Sequence, residues 1–135
     1  MIIAVDFDGT CVTHEYPRVG INIGAQDVLK ELVANGHQLI LFTMRSDIVH
    51  PTGKDNELYL SDALSWFELY EIPLYGIQTN PTQLTWTTSP KAYAELYIDD
   101  AALGCPLLMD GDLPYVDWKK VREMLIDKNI IAHNI

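Results

Sequence analysis

The chain has 135 residues, 48% of them hydrophobic and 21% charged, with a formal net charge of −10. That length gives one domain, residues 1–135, with a real core and no room for a second. The acidic balance argues against nucleic acid as a partner, since non-specific binding needs a basic surface to displace counterions.

No apolar run approaches the ~20 residues of a membrane helix, so no membrane association is expected. Met1 opens the first predicted strand with no basic segment before it, so a cleaved leader is not expected and the cytoplasm is the default compartment. Cys11 and Cys105 lie far apart without metal-ligand spacing, which indicates neither a disulfide framework nor a zinc site. Arg18 follows Cys11 at the wrong distance for a cysteine-phosphatase loop, and Cys11 reads as a small buried thiol.

Residues 1–5 (MIIAV) are an unbroken apolar run, the pattern of a strand buried on both faces of a parallel sheet. The run leads straight into Asp6-Phe7-Asp8-Gly9-Thr10. Residues 13–24 (THEYPRVGINIG) form a loop too short for an inserted domain. Residues 25–35 read as a helix, with Val28, Leu29 and Leu32 on one face and Gly36 as its stop. Residues 38–42 (QLILF) are the second strand, ending at Thr43. Residues 55–70 carry Leu58, Leu60, Ala63, Leu64 and Phe67 at helical spacing, and Pro73 bars continuation.

Residues 75–78 are a short third strand, followed by a loop at 80–88 that is polar apart from Trp86. Ser89-Pro90 looks like an N-cap with proline at the first helical position, opening a short helix through Glu95. Residues 96–98 are the fourth strand and run into Asp99-Asp100; residues 106–109 add an edge strand. Asp117 caps a final helix over WKKVREMLIDKN. Strict alternation predicts βαβ units with right-handed crossovers, hence a three-layer α/β/α Rossmann-like sandwich around a parallel sheet. Both loops, 13–24 and 80–88, are expected over the sheet edge that carries the Asp pair.

Two carboxylates two residues apart at the end of a buried strand are costly, because each ionised group loses several kcal/mol of hydration unless something pairs it. A divalent cation is the economical partner, and ligands of open α/β sheets bind at strand carboxyl ends. The plainer alternative is a turn that happens to hold a second Asp, yet D-x-D-G-T arises by chance in only about 10⁻³ of chains this long. Asp6, Asp8, Thr43, Asp99 and Asp100 all fall at strand carboxyl ends, with Lys91 at the start of the helix leading into the last strand. Alone, each has a dull explanation; in this order they make a Mg²⁺ and phosphate site.

Those motifs resemble the haloacid dehalogenase (HAD) superfamily of aspartyl-phosphate hydrolases. VDFDGT at 5–10, LILFT ending at Thr43, Lys91 and YIDD ending at Asp100 match its four motifs in order, across residues 1–104. With the THEYPRVG stretch, the chain is most similar to small capless members. The resemblance implies a HAD-like fold without a cap and a phosphatase acting on a small phosphorylated metabolite, sugar phosphate or nucleotide. Asp6 would be the nucleophile and Asp8 the general acid and base. Mg²⁺ would be held by Asp6, the Asp8 carbonyl and Asp99, with Asp100 as a direct or water-mediated ligand. Thr43 and Lys91 would hold phosphoryl oxygens, with Met44 and Arg45 beside them as substrate contacts. For Arg45 a structural ion pair is an equal alternative.

His14 and Tyr16 line the flap at 13–24, with solvated loop residues as the default reading, and Trp86 is either a stacking platform or loop packing. His37, His50 and His133 show no ligand spacing. An open site is expected, covered by a flap, a loop or a second copy of the chain. A phosphotransferase or mutase, and a non-catalytic or receiver-like phosphate module, are the alternatives.

Overall fold

A computed structural model of the chain describes residues 1–132. In chain order the elements are β1 (Ile2–Val5), α1 (Ala25–Ala34), β2 (Gln38–Leu41), β3 (Asp47–Ile48), β4 (Glu57–Leu58), α2 (Tyr59–Leu69), β5 (Gly76–Ile77), β6 (Leu96–Ile98), β7 (Leu107–Leu108), β8 (Tyr115–Val116) and α3 (Trp118–Asp127). The main sheet is parallel, in the order β5-β2-β1-β6. None of the described helices is long and apolar enough to cross a membrane.

The apolar runs become strands because both their faces are covered. Ile3, Val5, Leu39, Leu41 and Ile98 alternate onto one face and share a single core with all three helices. Helix α1 contributes Val28, Leu29 and Leu32, α2 contributes Trp66 and Phe67, and α3 contributes Val121 and Leu125. Each such side chain contributes about 1.5–3 kcal/mol when fully buried. Asp117 caps α3 as expected, accepting from the Lys120 N–H at 3.2 Å.

The opposite face, with Ala4 and Ile40, is covered differently from expectation. The chain leaves β5, crosses back over the sheet to β6, and right-handedness sends that crossover to the face the helices do not occupy. Among the described residues this segment, 79–95, holds no α-helix, only a 3₁₀ turn at Gln83–Thr85. The expected helix at 89–95 is therefore absent. Its backbone groups are taken by side chains: Gln83 Nε2 donates to the Ser89 and Lys91 carbonyls at 3.2 and 2.7 Å, and Gln83 Oε1 accepts from the Tyr93 N–H at 2.6 Å. The Tyr97 hydroxyl donates to the Ala92 carbonyl. The sandwich thus has a helical layer on one face and an irregular layer on the other.

Two further boundaries move. The helix expected from Asp55 starts at Tyr59, because Asp55 adopts φ 59° and Glu57–Leu58 pairs antiparallel with Asp47–Ile48. The expected edge strand at 106–109 does not join the main sheet. Instead β7 pairs with β8 in a separate hairpin, docked by the Val116 N–H on the Gly9 carbonyl at 3.0 Å.

Register fixes the rest. Val5 lies level with Leu41 on one side and Ile98 on the other, so Asp6, Thr43 and Asp99 leave the sheet at one rim.

Candidate active site

At that rim, one carboxylate oxygen from each of Asp6, Asp99 and Asp100 lies within 4.8 Å of the other two. Thr10 ties the two strand ends together. Its buried hydroxyl lies 2.9 Å from Asp6 Oδ2 and 3.1 Å from Asp100 Oδ1, and accepts from the Asp100 N–H at 3.0 Å. Crowding acids in a half-buried place forces them to share protons. Burial, then a hydrogen bond with Asp100, then the charge of Asp99 push Asp6 up to about 8. Burial also raises Asp99. For Asp100 burial is opposed by hydrogen bonds with Asp6 and His14, which hold it below the usual carboxylate range. All donors are oxygens, and the cluster carries more negative charge than nearby side chains offset, so it suits a hard divalent cation.

Asp8 points away from this cluster. Both its oxygens accept from Arg45, Nε to Oδ2 and Nη2 to Oδ1, each at 2.8 Å. Arg45 is 1% exposed and sits against the Phe7 ring. Its remaining three N–H groups donate to the carbonyls of Pro17, Arg18 and Tyr59. All five guanidinium donors are used within the protein. Arg45 is thus the structural ion pair of the two alternatives, and the substrate-contact assignment is corrected.

The flap at 13–24 is held at its base by the Thr13 N–H on the Ile21 carbonyl at 3.0 Å and at its crest by Arg45. It places His14 Nε2 2.8 Å from Asp100 Oδ2. A side chain at Gly9, where φ is 79°, would collide with that imidazole at 2.0 Å, so glycine is required there twice over. Asp6, Asp8, His14, Tyr16, Thr43, Met44, Asp99, Asp100 and Ala101 line one cavity of about 540 Å³. Thr43 Oγ1 accepts from the Arg45 N–H at 3.1 Å, which leaves the hydroxyl proton free to donate.

Lys91 does not line this cavity. Its ammonium stands 5.7 Å from the centroid of the Tyr97 ring, in a separate cavity of about 260 Å³ with Trp86 and Tyr93. The loop at 80–88 likewise stays off the acidic rim, contrary to expectation. Trp86 packs edge-on to Tyr93, with ring centroids 5.7 Å apart.

No model of a known protein family and no curated protein matches the chain. A solved structure does: a conserved protein from Bacteroides thetaiotaomicron, 32% identical, covering 95% of this chain and 91% of that one, with a TM-score of 0.73. The chain belongs to the family of that protein.

In this family member, several residues that position the site gave little sign of it in sequence. Gln78, at φ 64°, accepts from the Thr43 N–H through Oε1 at 2.9 Å and donates through Nε2 to the Thr43 and Arg45 carbonyls. It fixes the turn that presents Thr43. Nothing in the local pattern around Gln78 marks it, and only a polar residue closing a strand beside LILFT hints at the role. His14 was visible as a flap residue, without its bond to Asp100. Cys11 is buried as expected, its Sγ 3.3 Å from the Asp6 carbonyl, and burial pushes its thiol well up, which disfavours the thiolate.

Proposed function

We propose that the chain is a HAD-type, Mg²⁺-dependent phosphomonoester hydrolase working through an aspartyl phosphate on Asp6. The observation that carries this reading is the convergence of Asp6, Asp99 and Asp100 beside Thr43 in one open cavity at the sheet rim. The proposal extends to the fold class: a capless HAD-like core whose second helical layer is replaced by segment 79–95.

Mg²⁺, held by Asp6 and Asp99 with Asp100 alongside, would neutralise charge on the transferring phosphoryl group. Asp6 attacks phosphorus through a carboxylate oxygen while the bond to the leaving oxygen breaks, giving an acyl phosphate. The leaving oxygen takes a proton from Asp8, and Asp8 then removes one from the water that releases inorganic phosphate. For either step an Asp8 oxygen must turn from Arg45 into the cavity, which Asp8 already borders. The free Thr43 hydroxyl proton supplies a donor to a phosphoryl oxygen.

A phosphate-binding module without turnover is the second reading, favoured by the distance of Lys91 from the cavity and by the engagement of Asp8. Hydrolysis of an aryl phosphate decides between them. The expected result is Mg²⁺-dependent turnover that chelator abolishes and Asp6→Asn lowers by on the order of 10³-fold or more. Phosphate binding with no turnover across a panel of phosphoesters supports the module instead.

A further inference from the structure

We infer that the site accepts phosphomonoesters with an uncharged leaving group and selects against substrates bearing a second anionic group, an inference that rests on the phosphatase reading. The cavity of about 540 Å³ extends well beyond what a phosphoryl group fills, so part of it must receive the remainder of the substrate. What that remainder would meet is poor in positive charge. Among the described residues, no lysine or arginine lines the cavity.

The two basic side chains that sequence placed there are both committed elsewhere. Arg45 has every donor satisfied by Asp8 and three carbonyls. Lys91 stands over Tyr97 in the neighbouring cavity. Arg18, on the flap, is exposed and faces Glu15. Within the cavity the three clustered carboxylates of Asp6, Asp99 and Asp100 surround the reacting position, Asp8 is paired with Arg45, and the His14 ring nitrogen is already on Asp100. A divalent cation would be consumed by those carboxylates and the transferring phosphoryl group, with no surplus for another anion. The chain's net charge of −10 adds to the barrier at long range.

The outer wall offers contacts of another kind. Tyr16 is 59% exposed and Met44 96% exposed, and both border the cavity. An aromatic ring and a thioether favour neutral sugar, alkyl or aryl groups. Nucleoside diphosphates, bisphosphorylated sugars and phosphorylated carboxylic acids are disfavoured as substrates.

Two near-isosteric esters test this: 4-carbamoylphenyl phosphate and 4-carboxyphenyl phosphate, assayed with Mg²⁺, alongside calorimetric binding of the corresponding arylphosphonates. The expected kcat/KM is about tenfold lower for the carboxylate, as one uncompensated like charge near the rim gives. The phosphonate Kd values should separate in the same sense, and both gaps should shrink in high salt. Met44→Lys, which brings a cation to an exposed position on the cavity wall, should narrow the gap between the two esters. Equal or better hydrolysis of the carboxylate, with turnover intact, overturns this inference alone. Absence of turnover on both esters overturns the phosphatase reading and the inference with it.

Discussion

Segments 13–24 and 79–95 both lie outside the regular elements, and both leave a strand of the main sheet at its carboxyl end. They are anchored by different chemistry. The flap is held by a buried cation, Arg45, which also grips Asp8. The crossover at 79–95 is held by two buried neutral amides. Asn80 donates to the Tyr93 carbonyl at 3.1 Å and accepts from Thr82, while Gln83 satisfies Ser89, Lys91 and Tyr93. The charged anchor grips Asp8, which lines the acidic cavity, so any displacement of the flap disturbs Asp8. The neutral anchors touch nothing in that cavity and build a layer of the fold. A loop near a candidate site is therefore part of it only when its anchor shares atoms with the reacting groups.

Breaking the charged anchor should cost most. Arg45→Met removes the guanidinium from Asp8 and from the Pro17, Arg18 and Tyr59 carbonyls, and stability should fall by about 3–5 kcal/mol in denaturant unfolding. The flap should also become the first site of limited proteolysis. Breaking the neutral anchor should cost less and act on stability alone. Gln83→Leu orphans three backbone groups and should lower stability by about 2–3 kcal/mol, with aryl-phosphate turnover per folded molecule unchanged. If Gln83→Leu abolished turnover, the division between the two segments would be wrong.

A third prediction concerns pH in the absence of metal. Asp6 titrates near 8 in the folded chain and near its ordinary value when unfolded. Between about pH 4 and 8 the folded state then holds the extra proton, so stability must fall as pH rises through that window. The raised Asp99 reinforces the trend and the lowered Asp100 opposes it. Thermal melts should show the decline, Asp6→Asn should flatten it, and saturating Mg²⁺ should offset it near pH 8. The smallest effect is expected for His14→Ala, which removes a partly exposed contact to Asp100 and should change stability by about 1 kcal/mol or less. A larger loss would mean that His14 carries the flap alongside Arg45.

Most of the fold and the acidic half of the site were legible in sequence. The runs 1–5, 38–42 and 96–98 read as buried strands because no polar residue interrupts them, and acids that follow such strands must surface at a shared rim. Helices α1 and α3 were legible from periodicity and, for α3, from the Asp117 cap. The second layer was not. Ser89-Pro90 carries genuine helix-start chemistry, but a seven-residue helix is marginal by itself. Its carbonyls found better partners in amides that sequence gave no reason to aim there. Lys91 went astray for the same reason: without the helix, its position on the rim is not set by strand register. Arg45 was recognisable as a cation beside Thr43, while its burial depends on three carbonyls distant in sequence.

In the proposed mechanism the Asp6 carboxylate becomes phosphorylated. Borohydride added during turnover of an aryl phosphate reduces an aspartyl phosphate to homoserine, and peptide mass spectrometry locates it. Homoserine is expected at position 6, dependent on Mg²⁺. Trapping at another residue, or continued turnover with Asp6 never modified, would contradict it.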